Sequence, residues 1–354
     1  MTLLARLNPL IAPVLCRVQR GRGPEAQVIQ PAETEAVRPP AMLPGMLDRV
    51  TGTDEHSVLA FHLEAVTQTQ VTHAPVLRWT YRNALVRRSG FATAWHQERY
   101  GKSRNLAELA GPIAQVATLR YCYNYVIWRY FGHWLSDAIP SSLIDSAQGE
   151  LWMPPQAGST HAADYLRALD LSVVAAPVVQ ADELIVYQDF GQGSHQRARN
   201  RIIRDRLHAR FGGSEANHCL YIRRGTTGAP RSIVNETALL DELHRRNWQI
   251  VDVATASTAQ LQRAVCRARV VVSMEGSHIN HAHTVLRTGA VLVVLTPQDR
   301  FGSNQLGFSR AGGVTPGIVV LSGSQAQGYV VNVDEVLRTV DLAEGSASGF
   351  SKVQ

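Results

Sequence analysis

The chain has 354 residues, of which 45% are hydrophobic and 18% are charged, and its formal net charge is +6. This length predicts two domains or one large α/β domain, and the composition excludes disordered, collagen-like and coiled-coil chains. The excess of Lys and Arg (35) over Asp and Glu (29) fits an anionic ligand, a membrane surface or a nucleic acid without deciding among them.

Residues 1–45 are predicted to form a loop-rich lead-in, because prolines and glycines are dense from residue 20 onward. Arg6 and Pro13 interrupt the apolar start and no clean cleavage site follows, so a signal peptide is not predicted. A weak interfacial amphipathic segment is the alternative for this stretch. The chain contains no run of about 18 apolar residues, so no membrane-spanning helix is predicted.

Four cysteines are widely spaced and show no metal-binding pattern. Cys16, Cys122, Cys219 and Cys266 form no CxxC pair, and three of them stand among apolar residues. This pattern predicts small buried thiols in a reducing compartment.

The next part of the chain, residues 46–212, mixes short strands with polar turns. Strands are predicted at 57–63, 76–81 and 183–187, and helices at 159–169 and 196–211. The last helix carries six arginines and no aromatic residues between them. It is predicted to expose a solvated basic face, because a nucleic-acid surface would interleave aromatic side chains.

The second half alternates regularly between apolar runs and amphipathic stretches. Continuous Val, Ile and Leu runs are typical of strands buried on both faces of a parallel sheet, which predicts a doubly wound, Rossmann-like domain. Such sheets bind ligands at the carboxyl ends of their strands. The strands are predicted at 218–222, 248–253, 269–273 and 290–295, and the helices at 236–246, 258–267 and 279–287.

A first candidate site lies where the strand at 218–222 ends. Arg223 and Arg224 follow this strand, and a glycine-containing loop with Gly225 and Gly228 leads to Arg231. Arginines beside the start of a helix make an anion site, and a diphosphate is the ligand we expect. A solvated basic turn is the alternative. Neighbours on a strand face opposite ways, so pairing of one of Arg223 and Arg224 with another group is an alternative, and the sequence leaves open which of the two points inward.

A second candidate site follows the strand at 269–273. Gly276 allows the backbone to approach a ligand closely, and Glu275 can accept hydrogen bonds from hydroxyl groups. The amides that follow, from Ser277 onward, can point at phosphate or ribose. His278 and His281 could share a helix face, but the chain has no HExxH and no DxD sequence, so no metal site is predicted.

A third candidate site lies within Phe131–Pro140. His133 and Asp137 are four residues apart and would share one face of a helix. A carboxylate that orients an imidazole is a general-base arrangement. A histidine satisfied within a capped helix is the alternative.

Taken in order, these three motifs resemble glycosyltransferase family 61, known from capsular polysaccharide enzymes and eukaryotic xylosyl- and GlcNAc-transferases. The resemblance covers roughly residues 121–340. Many members carry a histidine before the glycine of the last turn, where this chain has Glu275. The residues that carry the resemblance are Phe131, His133, Asp137, Pro140, Tyr221, Arg223, Arg224, Arg231, Asn235, Glu236, Ser257, Gln260, Val270–Val272 and Glu275–His278.

The resemblance implies an α/β protein of GT-B type, with two Rossmann-like domains that face each other across a cleft. On this basis we expect an acceptor-side domain at 46–212, a nucleotide-sugar-binding domain at 213–325, and a tail at 326–354 that packs back. The family also implies an inverting, metal-independent transfer. The nucleotide-sugar is then a substrate, and no cofactor is expected.

The roles implied by the resemblance follow the three motifs. Arg223, Arg224 and Arg231 would bind the donor diphosphate, and His133 or Asp137 would be the catalytic base. The donor nucleoside or sugar would contact Asn235, Glu236, Glu275, Gly276, Ser277 and His278.

The expected partners are a nucleotide-sugar donor and a saccharide acceptor, as in bacterial surface or capsular polysaccharide synthesis, and no nucleic acid. The expected location is the cytoplasm, with peripheral contact at the inner face of the membrane. A non-catalytic nucleotide- or polysaccharide-binding module is the alternative function. A nucleic-acid-binding protein is a rival suggested only by the net charge and the arginines.

Overall fold

The structure, a computed structural model, describes residues 24–100, 112–122, 124–154, 161–212, 217–225 and 231–348. Contacts divide these residues into two units. Unit 1 contains the described residues of Met1–Glu33 and His73–Gly191, and unit 2 those of Thr34–Thr72 and Gln192–Gln354.

The secondary structure of the described residues is mixed α/β. The strands are β1 (Gln27–Gln30), β2 (Glu33–Ala36), β3 (Gln70–His73), β4 (Val76–Arg87), β5 (Gly90–Ala92), β6 (Gln97–Arg99), β7 (Ile113–Tyr121), β8 (Glu150–Trp152), β9 (Val178–Gln188), β10 (His218–Arg223), β11 (Gln249–Asp252), β12 (Ala268–Met274), β13 (Val291–Pro297), β14 (Thr315–Ser324) and β15 (Gly328–Val330). The α-helices are α1 (Leu59–Thr67), α2 (Tyr125–Arg129), α3 (Phe131–His133), α4 (Ile139–Ser141), α5 (Ala162–Ala168), α6 (Ser194–Phe211), α7 (Glu236–Arg245), α8 (Thr258–Cys266), α9 (Asn280–His283), α10 (Asn304–Ala311) and α11 (Val333–Ser348).

Unit 1 is built on a mixed sheet with the strand order β6-β5-β4-β9-β7-β8, and β1 pairs with β4. β7 runs parallel to β8 and β9, whereas β4 is antiparallel to β1, β5 and β9. Two residues separate β4 from β5, and so short a connection permits only an antiparallel pair. Unit 1 therefore differs from the predicted Rossmann-like domain, whose sheet would be mostly parallel.

Unit 2 contains a six-stranded sheet with the order β11-β10-β12-β13-β14-β15. The first five strands are parallel, and only β15 is antiparallel to its neighbour. Val270, Val271 and Val272 are fully buried although neighbouring side chains point to opposite faces. Both faces of this strand are therefore covered, which confirms the predicted parallel strands of the second half.

Helices α7 and α8 begin where the sequence predicts them, whereas the strand predicted at 57–63 is wrong because residues 59–67 form helix α1. Ser257 caps α8 by accepting a hydrogen bond from the amide of Gln260, whose side chain accepts in return from the amide of Ser257. This reciprocal pair satisfies two backbone donors at the start of the helix. Helix α7 buries Leu239 and Leu243 in the same apolar core as the sheet. The predicted elements at 236–246 and 258–267 are confirmed within one or two residues.

The strand order reverses beside β10. The chain passes from β10 to β11 on one side, and then returns to β12 on the other side of β10. The carboxyl ends of β10 and β12 therefore lie at a point where the connections diverge, and such points form crevices that bind ligands. Arg224 follows one of these strands, and Glu275 and Gly276 follow the other.

Residues 34–72 belong to unit 2, whereas the predicted domain limits place 46–72 in the N-terminal domain. Arg49 forms a two-pronged ion pair with Glu335 of α11, with N–O distances of 2.6 and 2.8 Å. Nδ1 of His62 accepts a hydrogen bond from the backbone amide of Ser303 (3.1 Å). These contacts join residues more than 240 positions apart, a distance over which local sequence patterns carry no signal.

The arginine-rich helix α6 also belongs to unit 2, and it is only partly solvated. Arg199 and Arg204 are 7% and 8% exposed. Arg204 donates hydrogen bonds to Oγ1 of Thr288 (2.7 Å) and to the backbone oxygen of Gly312. The prediction of a solvated basic face is therefore wrong for these two side chains. The guanidinium group of Arg204 helps fix α6 to the turns that precede β13 and β14.

Two further predictions concern the cysteines and membrane-spanning helices. Cys122, Cys219 and Cys266 are buried thiols, as predicted, and burial raises the pKa of the Cys266 thiol to about 12. Cys16 lies outside the described residues, as do the lead-in at 1–23 and residues 226–230 with Gly228. Among the helices that the structure describes, none is long and apolar enough to cross a membrane.

Candidate active site

The two arginines at the end of β10 make different contacts. Arg224 is 8% exposed, and its Nη1 donates to the backbone oxygen of Glu275 (2.7 Å). Arg223 is more exposed, and its Nε donates to Oε2 of Glu236 (2.9 Å), with Asp252 at 3.6 Å from its Nη1. Of the two, Arg224 therefore points toward the turn after β12, as alternation along a strand requires of one neighbour.

Arg231 reaches the same turn from the loop after β10. Its Nη1 donates to the backbone oxygen of Glu275 (2.8 Å) and lies 2.5 Å from Oε2 of the same residue. The Arg231 side chain is only 8% exposed, and its buried Nε has no hydrogen-bond partner among the described residues. A buried donor without a partner is costly unless a ligand or water satisfies it.

Arg300, which follows β13, is a third cation near this turn. Burial and the charges of Arg231 and Arg300 together lower the pKa of Arg224 to about 10, against the opposing effect of Glu275. Arg224 stays protonated at neutral pH, so positive charge is concentrated here. Arg300 also forms an ion pair with Asp54. Sequence analysis missed Arg300, although its place after a buried parallel strand could have drawn attention to it.

Gly276 lets the turn after β12 approach Arg224. Its φ is +152°, a conformation that favours glycine. A Cβ at this position would collide with the guanidinium of Arg224 and would lie 3.1 Å from Nδ1 of His278. The absence of a side chain at 276 is therefore required for the observed position of Arg224, and the close approach of a ligand to Gly276 stays a prediction.

We expect Gly276→Ala to weaken binding of a nucleoside diphosphate by about tenfold or more, because the methyl group displaces the Arg224 guanidinium. Gly289→Ala is the matched control. Gly289 also has a positive φ (+84°), but a Cβ there would meet no atom within 4 Å. Both variants therefore carry backbone strain, and only the first disturbs an arginine. Equal affinities in a calorimetric titration of the two variants would contradict this role of Gly276.

His278 is a buried, neutral histidine behind the turn. The Ser273 hydroxyl donates to the backbone oxygen of Ile222 (2.7 Å), so it accepts from Nε2 of His278 (2.9 Å). This assignment places the proton on Nε2 and leaves Nδ1 as the acceptor. Burial lowers the pKa of His278 well below its usual range, and the charge of Arg224 acts in the same direction.

The neighbouring histidines are buried as well. His281 and His283 are 2% and 3% exposed, and Nε2 of His283 lies 2.8 Å from Oε1 of Gln305. Burial lowers the pKa of His283 to about 4. The described part of the chain contains no group of three His, Cys, Asp or Glu side chains placed to hold a metal ion. Ser277 begins a single 3₁₀ turn, Ser277–Ile279.

Two residues predicted to contact the donor, Asn235 and Glu236, form hydrogen bonds within unit 2. The Asn235 side chain donates to the backbone oxygen of Val331 (2.8 Å) and accepts from its amide (3.0 Å). Glu236 accepts from the Tyr221 hydroxyl (3.0 Å) and from Arg223. These contacts join the start of α7 to the strand ends beside it. Asn235, Glu236 and Arg223 therefore have a structural explanation that does not involve the donor.

The third motif is brought together as predicted, on an irregular helical segment of unit 1. Nδ1 of His133 lies 2.6 Å from Oδ2 of Asp137, and Asp137 is buried. A π-helical stretch, Trp134–Ala138, separates α3 from α4. Such stretches are rare and often occur at functional sites. A carboxylate at Asp137 accepts a hydrogen bond from Nδ1–H of His133, which leaves Nε2 as the nitrogen with the free lone pair.

Contacts on both sides hold this segment in place. The indole Nε1 of Trp134 donates to the backbone oxygen of Pro154 (3.1 Å), just beyond β8. The Ser141 hydroxyl donates to Oδ2 of Asp189 (2.7 Å), just beyond β9. β7 runs parallel to both β8 and β9, so the three strands end at the same edge of the sheet. The segment that carries His133 and Asp137 is therefore held near the carboxyl ends of these strands.

Comparison with known proteins identifies the class to which these sites belong. Residues 131–293 match the family model described as Glycosyltransferase 61. The matched range begins at Phe131 and ends within β13, so it contains all three motifs. This match to a family of glycosyltransferases confirms the resemblance that the sequence motifs predict.

Two other comparisons add no functional information. No curated protein matches the chain. Among solved structures, the flavodiiron protein from Giardia intestinalis is similar with a TM-score of 0.26 and 8% sequence identity. That similarity covers 52% of this chain and 47% of the other chain, about half the length of each. A similarity of this size supports no conclusion about fold or function.

Proposed function

We propose that the chain is an inverting, metal-independent glycosyltransferase that moves a sugar from a nucleotide-sugar to a saccharide acceptor of a bacterial surface or capsular polysaccharide. The observation that carries this proposal is the convergence of Arg224 and Arg231 on Glu275, at the carboxyl ends of β10 and β12. Ligands of such sheets bind where the strand order reverses. Two guanidinium groups at that point suit a diphosphate.

In this proposal the leaving diphosphate is stabilised by cationic side chains. Arg224 and Arg231 contact its oxygens, and Arg300 adds a third positive charge nearby. Arginine positioned before the reaction stabilises charge that develops in the transition state without reorganising at that moment. Gly276 allows the phosphate to approach the backbone, and Ser277 and His278 lie next to the donor sugar or nucleoside. Arg223 contributes indirectly, through its contact with Glu236.

His133 acts as the base in this proposal. Asp137 orients the ring by accepting a hydrogen bond from Nδ1–H, and Nε2 takes the proton from the acceptor hydroxyl. The deprotonated oxygen attacks the anomeric carbon as the bond to the diphosphate breaks, so the configuration inverts. Unit 2 would bind the donor and unit 1 the acceptor. The GT-B arrangement, with two domains that face each other across a cleft, is part of this proposal.

A panel of nucleoside diphosphates and nucleotide-sugars tests the proposal by thermal shift and by release of nucleoside diphosphate. A donor present at 100 times its Kd should stabilise the folded chain by about 2.7 kcal/mol. We expect a shift and turnover with the same nucleotide. A shift without turnover in the presence of any saccharide would favour the binding module, and tight, salt-sensitive binding to random DNA would favour the nucleic-acid rival.

Metal independence makes a separate prediction. We expect release of nucleoside diphosphate to persist in EDTA, because arginines rather than a bridging cation would neutralise the leaving group. The measurement compares initial rates with EDTA, with Mg²⁺ and with Mn²⁺. Loss of activity in EDTA and rescue by either ion would overturn the metal-free mechanism. It would direct attention to His278, His281 and Asp252.

A further inference from the structure

A patch of aromatic side chains lies on the surface just before His133. We define the Tyr125 surface as Tyr125, Trp128, Arg129 and Tyr130. Tyr125 is 49% exposed, and its ring is stacked on that of Trp128 with centroids 6.4 Å apart and an interplanar angle of 25°. Trp128 and Tyr130 are half-buried, so Tyr125 is the exposed ring of this surface. Large aromatic side chains are usually buried, and an exposed one that is stacked on a neighbour suits a ligand.

Arg129 holds the two ends of this surface together. Its Nη1 donates to the Tyr125 hydroxyl (3.0 Å), and its guanidinium carbon lies 5.3 Å from the centroid of the Tyr130 ring. A guanidinium over an aromatic face is attracted by the ring. The rings are therefore fixed before any ligand arrives, which lowers the entropic cost of binding.

The Tyr125 surface continues to the proposed base. The Tyr130 ring lies 6.0 Å from the His133 ring, measured between centroids. Asn124 fixes the other end, because its side-chain oxygen accepts from the amides of Val126 and Ile127, each at 2.9 Å, and so caps α2. A ligand that spans this surface therefore ends beside His133.

We propose that the Tyr125 surface binds the acceptor as an oligosaccharide, with its reactive sugar at His133 and preceding sugars over Tyr130 and Tyr125. A sugar ring has an apolar C–H face and hydroxyl groups at its rim. Tyrosine and arginine offer the complementary pair, an apolar face with hydrogen-bonding groups at the edge. The proposal rests on the proposed function, because it needs a saccharide acceptor and His133 as the reactive end.

The test is retention of the whole chain, without donor, on an array of immobilised linear oligosaccharides of glucose, xylose, N-acetylglucosamine and their uronic acids. We expect at least one glycan to retain the wild type and Tyr125→Ala to lose about tenfold in affinity for it. Tyr125→Phe keeps the ring and should stay within about threefold of the wild type. Ile202→Ala is the matched control, because Ile202 is 46% exposed and lies on α6.

Two results would overturn the proposal: no glycan retains the wild type, or Tyr125→Ala and Ile202→Ala bind equally well. A loss in Tyr125→Phe as large as in Tyr125→Ala would also count against stacking. Donor turnover is measured separately on the same variants. If the wild type retains a glycan but shows no donor turnover, binding at the Tyr125 surface is supported and the proposed function is refuted. If donor turnover is normal and Tyr125→Ala retains the glycan as well as the wild type does, the proposed function is supported and binding at the Tyr125 surface is refuted.

Discussion

Arg224→Ala is expected to weaken binding of a nucleoside diphosphate by about 1.5–3 kcal/mol, or roughly 10- to 150-fold, the scale of a charge-assisted hydrogen bond. Arg224 is nearly buried at the ligand-facing edge of the sheet and already donates to Glu275. The parent nucleoside, which lacks the phosphates, should bind almost as well as to the wild type. Calorimetric titration of both ligands measures the difference.

Arg223→Ala is the control that the chain itself offers. This neighbour is held by Glu236 and Asp252, so we expect less than a threefold change in diphosphate affinity, about 0.6 kcal/mol. A loss as large as that of Arg224→Ala would show that both arginines reach the ligand. Equal losses for nucleoside and nucleoside diphosphate in Arg224→Ala would instead mean that Arg224 is structural.

His133→Ala is expected to lower kcat by about 10²–10⁴ with little change in donor affinity, because it removes the proton acceptor for the attacking hydroxyl. Steady-state release of nucleoside diphosphate, with a saccharide acceptor at saturation, gives kcat. The same preparation is titrated with donor and melted thermally, so that loss of folded protein is recognised.

Asp137→Asn separates the base from the group that orients it. We expect a smaller loss than for His133→Ala, since the amide can still contact Nδ1 but stabilises the protonated ring less. If Asp137→Asn were inactive and His133→Ala only mildly impaired, the carboxylate would be the base. If both variants melted at a lower temperature and kept a kcat near that of the wild type, His133 and Asp137 would stabilise the helical segment and take no part in the reaction.

The sequence predicts which residue types follow β10 and β12 better than it predicts which way their side chains point. Arginines at the end of β10 and a glycine turn after β12 could be recognised, because a buried parallel strand has a distinctive apolar pattern. Which arginine faces the turn depends on the positions of Glu236 and Glu275, which lie on other elements. Asn235 and Glu236 show the same limit, since their partners Val331 and Tyr221 follow from tertiary packing.

Arg300 and residues 34–72 were missed for a related reason. Arg300 stands in a loop with no motif around it, and its relation to Arg224 depends on β13 lying next to β12. The buried arginines of α6 were misjudged because charge predicts exposure, whereas the Thr288 hydroxyl and the backbone oxygen of Gly312 explain why Arg204 is buried. Long-range partners of this kind leave no local pattern.

The assignment of residues 34–72 to unit 2 has a consequence for exchanging parts between related enzymes. Unit 2 is assembled from two separate stretches of chain, with most of unit 1 inserted between them. A single crossover near residue 192 would separate Arg49 from Glu335 and His62 from Ser303. Hybrid chains that exchange the whole of unit 2 therefore need three joints, near residues 34, 73 and 192. A hybrid with the single joint near residue 192 would also separate Asp54 from its ion-pair partner Arg300.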